Sequence, residues 1–372
     1  MLMKYGYLTT IDRLPNLTEE ERFQLREVCK HFAFRINEYY ASLIDWNDPD
    51  DPLRRIVVPH IDELEDWGRL NASNENKYTV MQGFQHKYSP TVVLLLTDMC
   101  GGFCRFCFRK RLFMNLEREI ANDIRGGLDY IHAHHEVTNV LITGGDPLIL
   151  PTRMLENAVR LISEIDHVRI IRIGSKMPAY NPYRIIDDPS LLEMIQEYSA
   201  RKRFYIMCQF NHPYELTKDA RAGIDLLQKA GAETYNQTPV IRGVNDNPNT
   251  LSTLFRELTF IGIAPYYVFQ CRPTLGNKPY AVPVEEAYMI FQQAKRGCAG
   301  LAKSARYVMS HVSGKIEVIG LTKDEIILRY HQPASADDHG HVKIFQRNPE
   351  AYWLDDYVDA EAHIPVEEDY DD

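Results

Sequence analysis

No apolar run in this sequence is long enough to cross a bilayer. The longest, such as Val92 to Leu96, fall far short of the roughly 20 residues that a spanning helix needs. The opening segment, MLMKYGYLTTIDRLP, has neither an apolar signal core nor a small-residue cleavage site, so a cytoplasmic protein is expected. Basic charge is also scarce: 42 lysines and arginines stand against 52 acidic residues, a formal net charge of -10. That balance argues against broad binding to a nucleic-acid backbone and leaves small molecules as the expected substrates, with no membrane partner. Cysteine is thinly used, seven in 372 residues, an odd number with no export signal, which speaks against a disulfide framework.

Three of those cysteines crowd into eight residues, and the chain around them is ordered. Leu17 to Ile44 opens with acidic residues and repeats apolar groups at helical spacing, which predicts one or two amphipathic helices. NDPDDP (47–52) and ASNENK (72–77) have turn and loop composition, so residues 1–87 are expected to form a helical extension and linker. Beyond Tyr88, six short β-rich runs (92–97, 138–143, 168–173, 203–208, 234–240 and 265–270) alternate with helical stretches such as 117–135, 152–166, 216–230 and 248–262. That alternation predicts an α/β fold with a parallel sheet, either doubly wound or closed toward a barrel, over residues 88–282. Residues 283–372 remain as a C-terminal extension, with HQPASADDHGH (331–341) of loop composition and a solvated acidic tail after Leu354.

Chemistry in parallel α/β folds collects at the C-terminal ends of strands. The segments GGD (144–146) and GSK (174–176) fall there, as does Cys100-Gly-Gly-Phe-Cys104-Arg-Phe-Cys107. Three thiolates on one loop, with no fourth cysteine nearby and the next only at Cys208, suit an iron–sulfur cluster that keeps one iron open. The other reading is a structural zinc site with a fourth ligand among His132, His134 and His135. Glycines 144 and 145 can equally serve a tight turn.

CxxxCxxC with an aromatic residue, here Phe106, before the last cysteine resembles the signature of the radical S-adenosylmethionine (SAM) superfamily. The resemblance extends from SLIDWNDPDDPLRR (42–55) through LLLTDMC, LITGGDPL, RIGSKMP, QFNHPYELT, VIRGVND and PYYVFQC, and over that length the chain is similar to the lysine 2,3-aminomutase family. It implies a partial (β/α)6 radical SAM barrel and an isomerase that moves an amino group between adjacent carbons of an amino acid. The implied cofactors are a 4Fe–4S cluster on Cys100, Cys104 and Cys107, SAM, and pyridoxal phosphate (PLP). An electron donor such as flavodoxin or ferredoxin is implied, and a homodimer is compatible with the family.

The same resemblance assigns roles by motif. Gly144, Gly145 and Asp146 approach the SAM amino group, Ser175 and His212 line the SAM pocket, and Gln237 lies near the cofactors. Arg109 pairs with the substrate carboxylate, its planar fork suiting that partner. PLP would sit on Lys315, in YVMSHVSGKI ahead of ILR, with Lys303 in GLAKS as the competing lysine.

The sequence departs from the family in three places. The PLP loop has lost most of its glycines, which leaves open a radical SAM enzyme of the same scaffold without PLP, acting on another small molecule or on a residue of a protein. The two aspartates that hold the far ammonium of lysine are replaced by Arg272 and Met309, so a substrate other than lysine is expected. No cysteine follows Cys298, so the C-terminal zinc site of some family members is not expected.

Overall fold

The computed structural model describes residues 5–114 and 118–357. A two-residue antiparallel pair, β1 (Tyr7–Leu8) with β2 (Ile36–Asn37), ties the N-terminal segment together around helix α1 (Glu19–His31). Helix α1 starts at a capping box in which Thr18 and Glu21 satisfy each other's backbone N–H groups. Short helices α2 (Glu38–Ala41) and α3 (Pro52–Val57) follow, the latter with Asp51 as its N-cap and proline at its first turn.

Twelve strands then form one sheet in simple chain order: β3 (Thr79–Met81), β4 (Phe84–Tyr88), β5 (Thr91–Thr97), β6 (Asn139–Gly144), β7 (Ile170–Ser175), β8 (Arg203–Cys208), β9 (Glu233–Pro239), β10 (Ala264–Phe269), β11 (Arg306–His311), β12 (Gly314–Leu321), β13 (Glu325–Pro333) and β14 (Val342–Gln346). Strands β5 to β11 pair in parallel. The strands beyond them at both ends pair antiparallel. Helices α4 (Arg125–Ala133), α5 (Thr152–Ser163), α6 (Met177–Tyr180), α7 (Tyr183–Ile186), α8 (Pro189–Ser199), α9 (Lys218–Lys229), α10 (Pro248–Phe260) and α11 (Val284–Arg296) fill the crossovers. Among the described residues no helix is long and apolar enough to cross a membrane.

The six β-rich runs all form strands whose alternate Val, Ile and Leu bury one face under the helices, and the helical crossovers between them make the strands parallel. Val140, Ile142, Ile171 and Ile173 are fully buried in that way. The alternate residues face inward. The sheet curls until the segment around β3 and β4 approaches the β11–β12 turn without backbone pairing, the partial barrel expected of the family. Three side chains bridge the gap: Lys87 Nζ donates to His311 O, Tyr78 Oη to Val312 O at 2.7 Å, and Ser73 Oγ to Ser310 O at 2.9 Å.

Four expectations change. The helix predicted over 117–135 begins only at Arg125, where the Asp123 carboxylate accepts the Arg125 N–H; Ala121 before it donates to Leu95 O instead. Residues 79–81 and 84–87, grouped with the linker, belong to strands of the main sheet. The segment around Lys315 is a β-hairpin rather than a loop, β11 and β12 pairing Ser310 with Lys315 and Met309 with Ile316, and β13 runs on to Pro333 through residues of loop composition. The acidic tail beyond Tyr357 lies outside the described residues.

Candidate active site

A cavity of about 520 Å³ runs down the inside of the curled sheet, from Thr91 and Asn139 near the strand starts to Cys100, Gly145 and Ser175 at their C-terminal ends. Its wall is the inward-facing half of the strand alternation, including Leu141, Arg172, Met207, Gln237 and Tyr266.

The cysteine loop is fastened from behind. Phe103 N–H donates to Arg35 O at 2.9 Å and Arg105 N–H to Ile56 O at 2.8 Å. The Arg105 guanidinium, fully buried, meets Glu63 through two bonds of 3.0 and 2.6 Å, and Tyr280 Oη donates to the same carboxylate at 2.8 Å. A Cβ on Gly101 would come within 2.5 Å of Met177 Sδ, and one on Gly102 within 3.2 Å of the Tyr180 ring, so the glycines admit a close approach to α6. All three thiols are free and line the cavity, with Cys104 Sγ 2.8 Å from Tyr180 Oη. Burial pushes their ionisation up, that of Cys104 to about 12.

The GGD segment locks strand β6 to this loop. Gly145 and Asp146 donate their N–H groups to Thr97 O at 2.6 Å and Met99 O at 2.7 Å. Gly144 sits at φ +118, and a Cβ there would lie 2.3 Å from Thr97 O. The Asp146 carboxylate accepts the N–H groups of Lys176 at 2.6 Å, Met177 at 3.0 Å and Leu148 at 3.1 Å. Burial lifts its ionisation to about 6 against the pull of Ser175 and these N–H groups. Next to it, Lys176 Nζ donates to Gln209 O at 2.7 Å and to Asn211 and Glu215 at 2.6 Å each, joining the ends of β7 and β8.

At the far wall stands Lys315, at the start of β12. Its Nζ lies 4.3 Å from the Tyr88 ring centre and donates to Gln332 Oε1 at 2.8 Å. Burial, then the like charges of Arg172, Lys87 and Arg272, pull its ionisation down to about 7. Lys87 falls to about 7 as well, again mainly through burial.

Between the two groups lies an ionic knot. Glu75 binds Arg109 Nε at 3.2 Å and Nη2 at 2.9 Å, and Arg111 Nη2 at 2.7 Å; Arg272 Nη1 is 4.0 Å away. Burial alone would raise the Glu75 carboxyl, but Arg109, Arg111 and Arg272 outweigh it and hold the group far below the usual carboxylate range. Arg272 stacks 3.7 Å from the Phe108 ring centre and makes no side-chain hydrogen bond among the described residues.

Comparison with known proteins agrees with this arrangement. Residues 94–254 match the radical SAM superfamily. The chain is 52% identical over 361 residues, 96% of either chain, to a protein of Aquifex aeolicus (strain VF5) that carries a provisional L-lysine 2,3-aminomutase name. It is 33% identical to the L-lysine 2,3-aminomutase of Clostridium subterminale, over 84% of this chain and 76% of that one. It is 31% identical to the glutamate 2,3-aminomutase of Clostridioides difficile (strain 630), over 79% of this chain and 69% of that one. The chain belongs to the lysine 2,3-aminomutase family. As a member it is a radical SAM enzyme and an isomerase, and the cofactors that go with the family are a 4Fe–4S cluster, SAM and PLP.

The side chains of this aminomutase homologue fit such groups. Three free thiols share one wall, and a cluster takes each thiolate on a different iron. Among the described residues no three His, Cys, Asp or Glu side chains gather as a single metal ion requires. Lys315 supplies an amine that burial keeps largely uncharged above neutral pH, beside the aromatic faces of Tyr88 and Tyr267.

Several sequence assignments land elsewhere. His212 is outside the cavity wall: its Nδ1 accepts the Tyr214 N–H at 3.2 Å and its ring packs on Tyr214, so it caps a turn. Met309 is fully buried in the hydrophobic core, because strand alternation turns it away from the cavity that Ser310 and Lys315 face. Lys303 is exposed in a short turn after α11 and does not reach the cavity. Ser175 and Gln237 do line it. Sequence reasoning missed Glu75, hidden in a polar loop, and Lys87. It also missed Arg172, although a charge in the middle of an apolar parallel strand signals an inward position, and Cys271, which opens into the same cavity.

Proposed function

We propose that this enzyme shifts an amino group between adjacent carbons of an α-amino acid held on PLP at Lys315, and that the amino acid is acidic or neutral rather than lysine. One observation carries the reading: a buried amine faces the same cavity as three free cysteines and the GGD segment. The cluster and SAM supply a carbon-centred radical when bound. Cys100, Cys104 and Cys107 hold the cluster. Gly144, Gly145, Asp146, Ser175 and Gln237 frame SAM, and a one-electron donor such as flavodoxin or ferredoxin supplies the reducing equivalent.

Arg109 binds the substrate carboxylate. Arg272, with its donors unspent and its charge desolvated, attracts an anionic side chain and repels an ammonium. The curled sheet keeps water from the reacting carbons.

A second reading, the same scaffold without PLP, draws on the hairpin around Lys315. The glycine beside Lys315, Gly314, would bring a Cβ within 2.6 Å of Gln332 O, so it serves strand pairing rather than a phosphate cradle. Borohydride reduction of the protein incubated with PLP, followed by peptide mapping, separates the two: a label on Lys315 supports the aminomutase, and an unlabelled Lys315 favours the alternative.

A further inference from the structure

We propose that Glu75 determines specificity by acting as a resident carboxylate: it holds the substrate carboxylate's place on Arg109 and gives it up when an anionic amino acid enters. The inference rests on the reading of Arg109 as the carboxylate site. Glu75 meets Arg109 through two bonds to one guanidinium fork, the geometry that a free carboxylate would adopt there.

The surroundings allow the exchange. Arg111 keeps a second carboxylate, Glu119, through bonds of 2.7 and 2.8 Å, so it stays paired when Glu75 leaves. Arg109 has no other carboxylate among the described residues and therefore needs either Glu75 or a ligand. The turn that carries Glu75 is pinned on both sides, by Ser73 on Ser310 O and Tyr78 on Val312 O, and Asn74 takes a left-handed conformation at φ 46. With the backbone fixed and the side chain on the cavity wall, the movement is a rotation of the Glu75 side chain. A substrate must outcompete an internal carboxylate, which discriminates against ligands that bring only one weak anionic contact. A second anionic group, reaching Arg272, tips the exchange.

The test uses glutarate as a dicarboxylate probe, and propionate and propionamide as small probes. Calorimetry should show glutarate binding Glu75→Gln about tenfold or more tightly than the unaltered protein, a gain of about 1.4 kcal/mol or more, and Arg109→Met not at all. Glu75→Ala should melt lower than the unaltered protein and be restored by propionate but not by propionamide. Glutarate binding that is equal or weaker in Glu75→Gln, while Arg109→Met abolishes it, overturns the exchange and leaves Arg109 as the carboxylate site. Undiminished binding in Arg109→Met removes the assignment of Arg109 itself, and with it the exchange. If neither Glu75 variant folds even in propionate, Glu75 is a structural counter-ion and the proposal is wrong.

Discussion

The amine of Lys315, on β12, lies 4.3 Å from the centre of the Tyr88 ring, on β4, a contact between two strands that do not pair. Covalent capture of an aldehyde requires the uncharged amine, and burial beside Arg172, Lys87 and Arg272 brings that form within reach of neutral pH. Lys315 should therefore take up PLP with a rate that climbs through about pH 7, more than three units below an ordinary lysine. Absorbance after rapid mixing across a pH series measures this. A midpoint near that of free lysine would show the amine to be solvated.

The same amines make stability depend on pH. In the folded chain Lys315 and Lys87 lose their protons near pH 7, whereas unfolded lysine keeps its proton to about pH 10. The unfolded state then binds more protons, so stability should rise with pH from about 7. Above about pH 8.5 the unfolded thiols ionise while buried Cys100, Cys104 and Cys107 do not, and the slope should turn over. Melting temperatures of the cofactor-free protein should show the rise, and Lys315→Met should flatten it. A profile falling steadily from pH 7 would contradict the assignment.

Anaerobic reconstitution should give about one four-iron cluster per chain, held by three thiolates. Cys104→Ala should lose both the cluster and reductive cleavage of SAM, as read by iron content and electron paramagnetic resonance. A SAM-responsive cluster in the triple variant lacking Cys100, Cys104 and Cys107 would disprove the central assignment.

Arg272→Asp should shift turnover from glutamate-like toward lysine-like amino acids, because it replaces the desolvated guanidinium with a partner for an ammonium. Met309→Asp should not help. It would bury a carboxylate in the core beside Ile316, costing about 3 kcal/mol or more and lowering the melting temperature without changing preference. Chromatography of the β-amino acid products from a substrate panel decides. Faster turnover of lysine than of every acidic or neutral amino acid by the unaltered enzyme would rule Arg272 out.

Lys176→Met should destabilise the fold by about 3–5 kcal/mol, since it leaves Glu215 charged and buried without its 2.6 Å partner. Denaturant titration reads the loss, and a change under about 1 kcal/mol would mean that the pair contributes little to the fold.

The chain by itself determined the parallel strands, since a helical stretch between successive β-rich runs brings the chain back to start each strand in the same direction, and it determined the cysteine loop, whose chemistry is local in sequence. A motif also singled out Lys315, which lies on the cavity wall. The contacts that join distant segments were not. Glu75 sits in a polar loop whose composition says only that it is a turn, and it becomes the centre of the arginine knot because β3 and β4 carry that turn over the mouth of the sheet. Met309 looked like a pocket residue by alignment with the family, but strand parity in the β11–β12 hairpin turns it into the core. Parity and loop trajectory depend on which strands pair and in what register, and only the folded sheet fixes both.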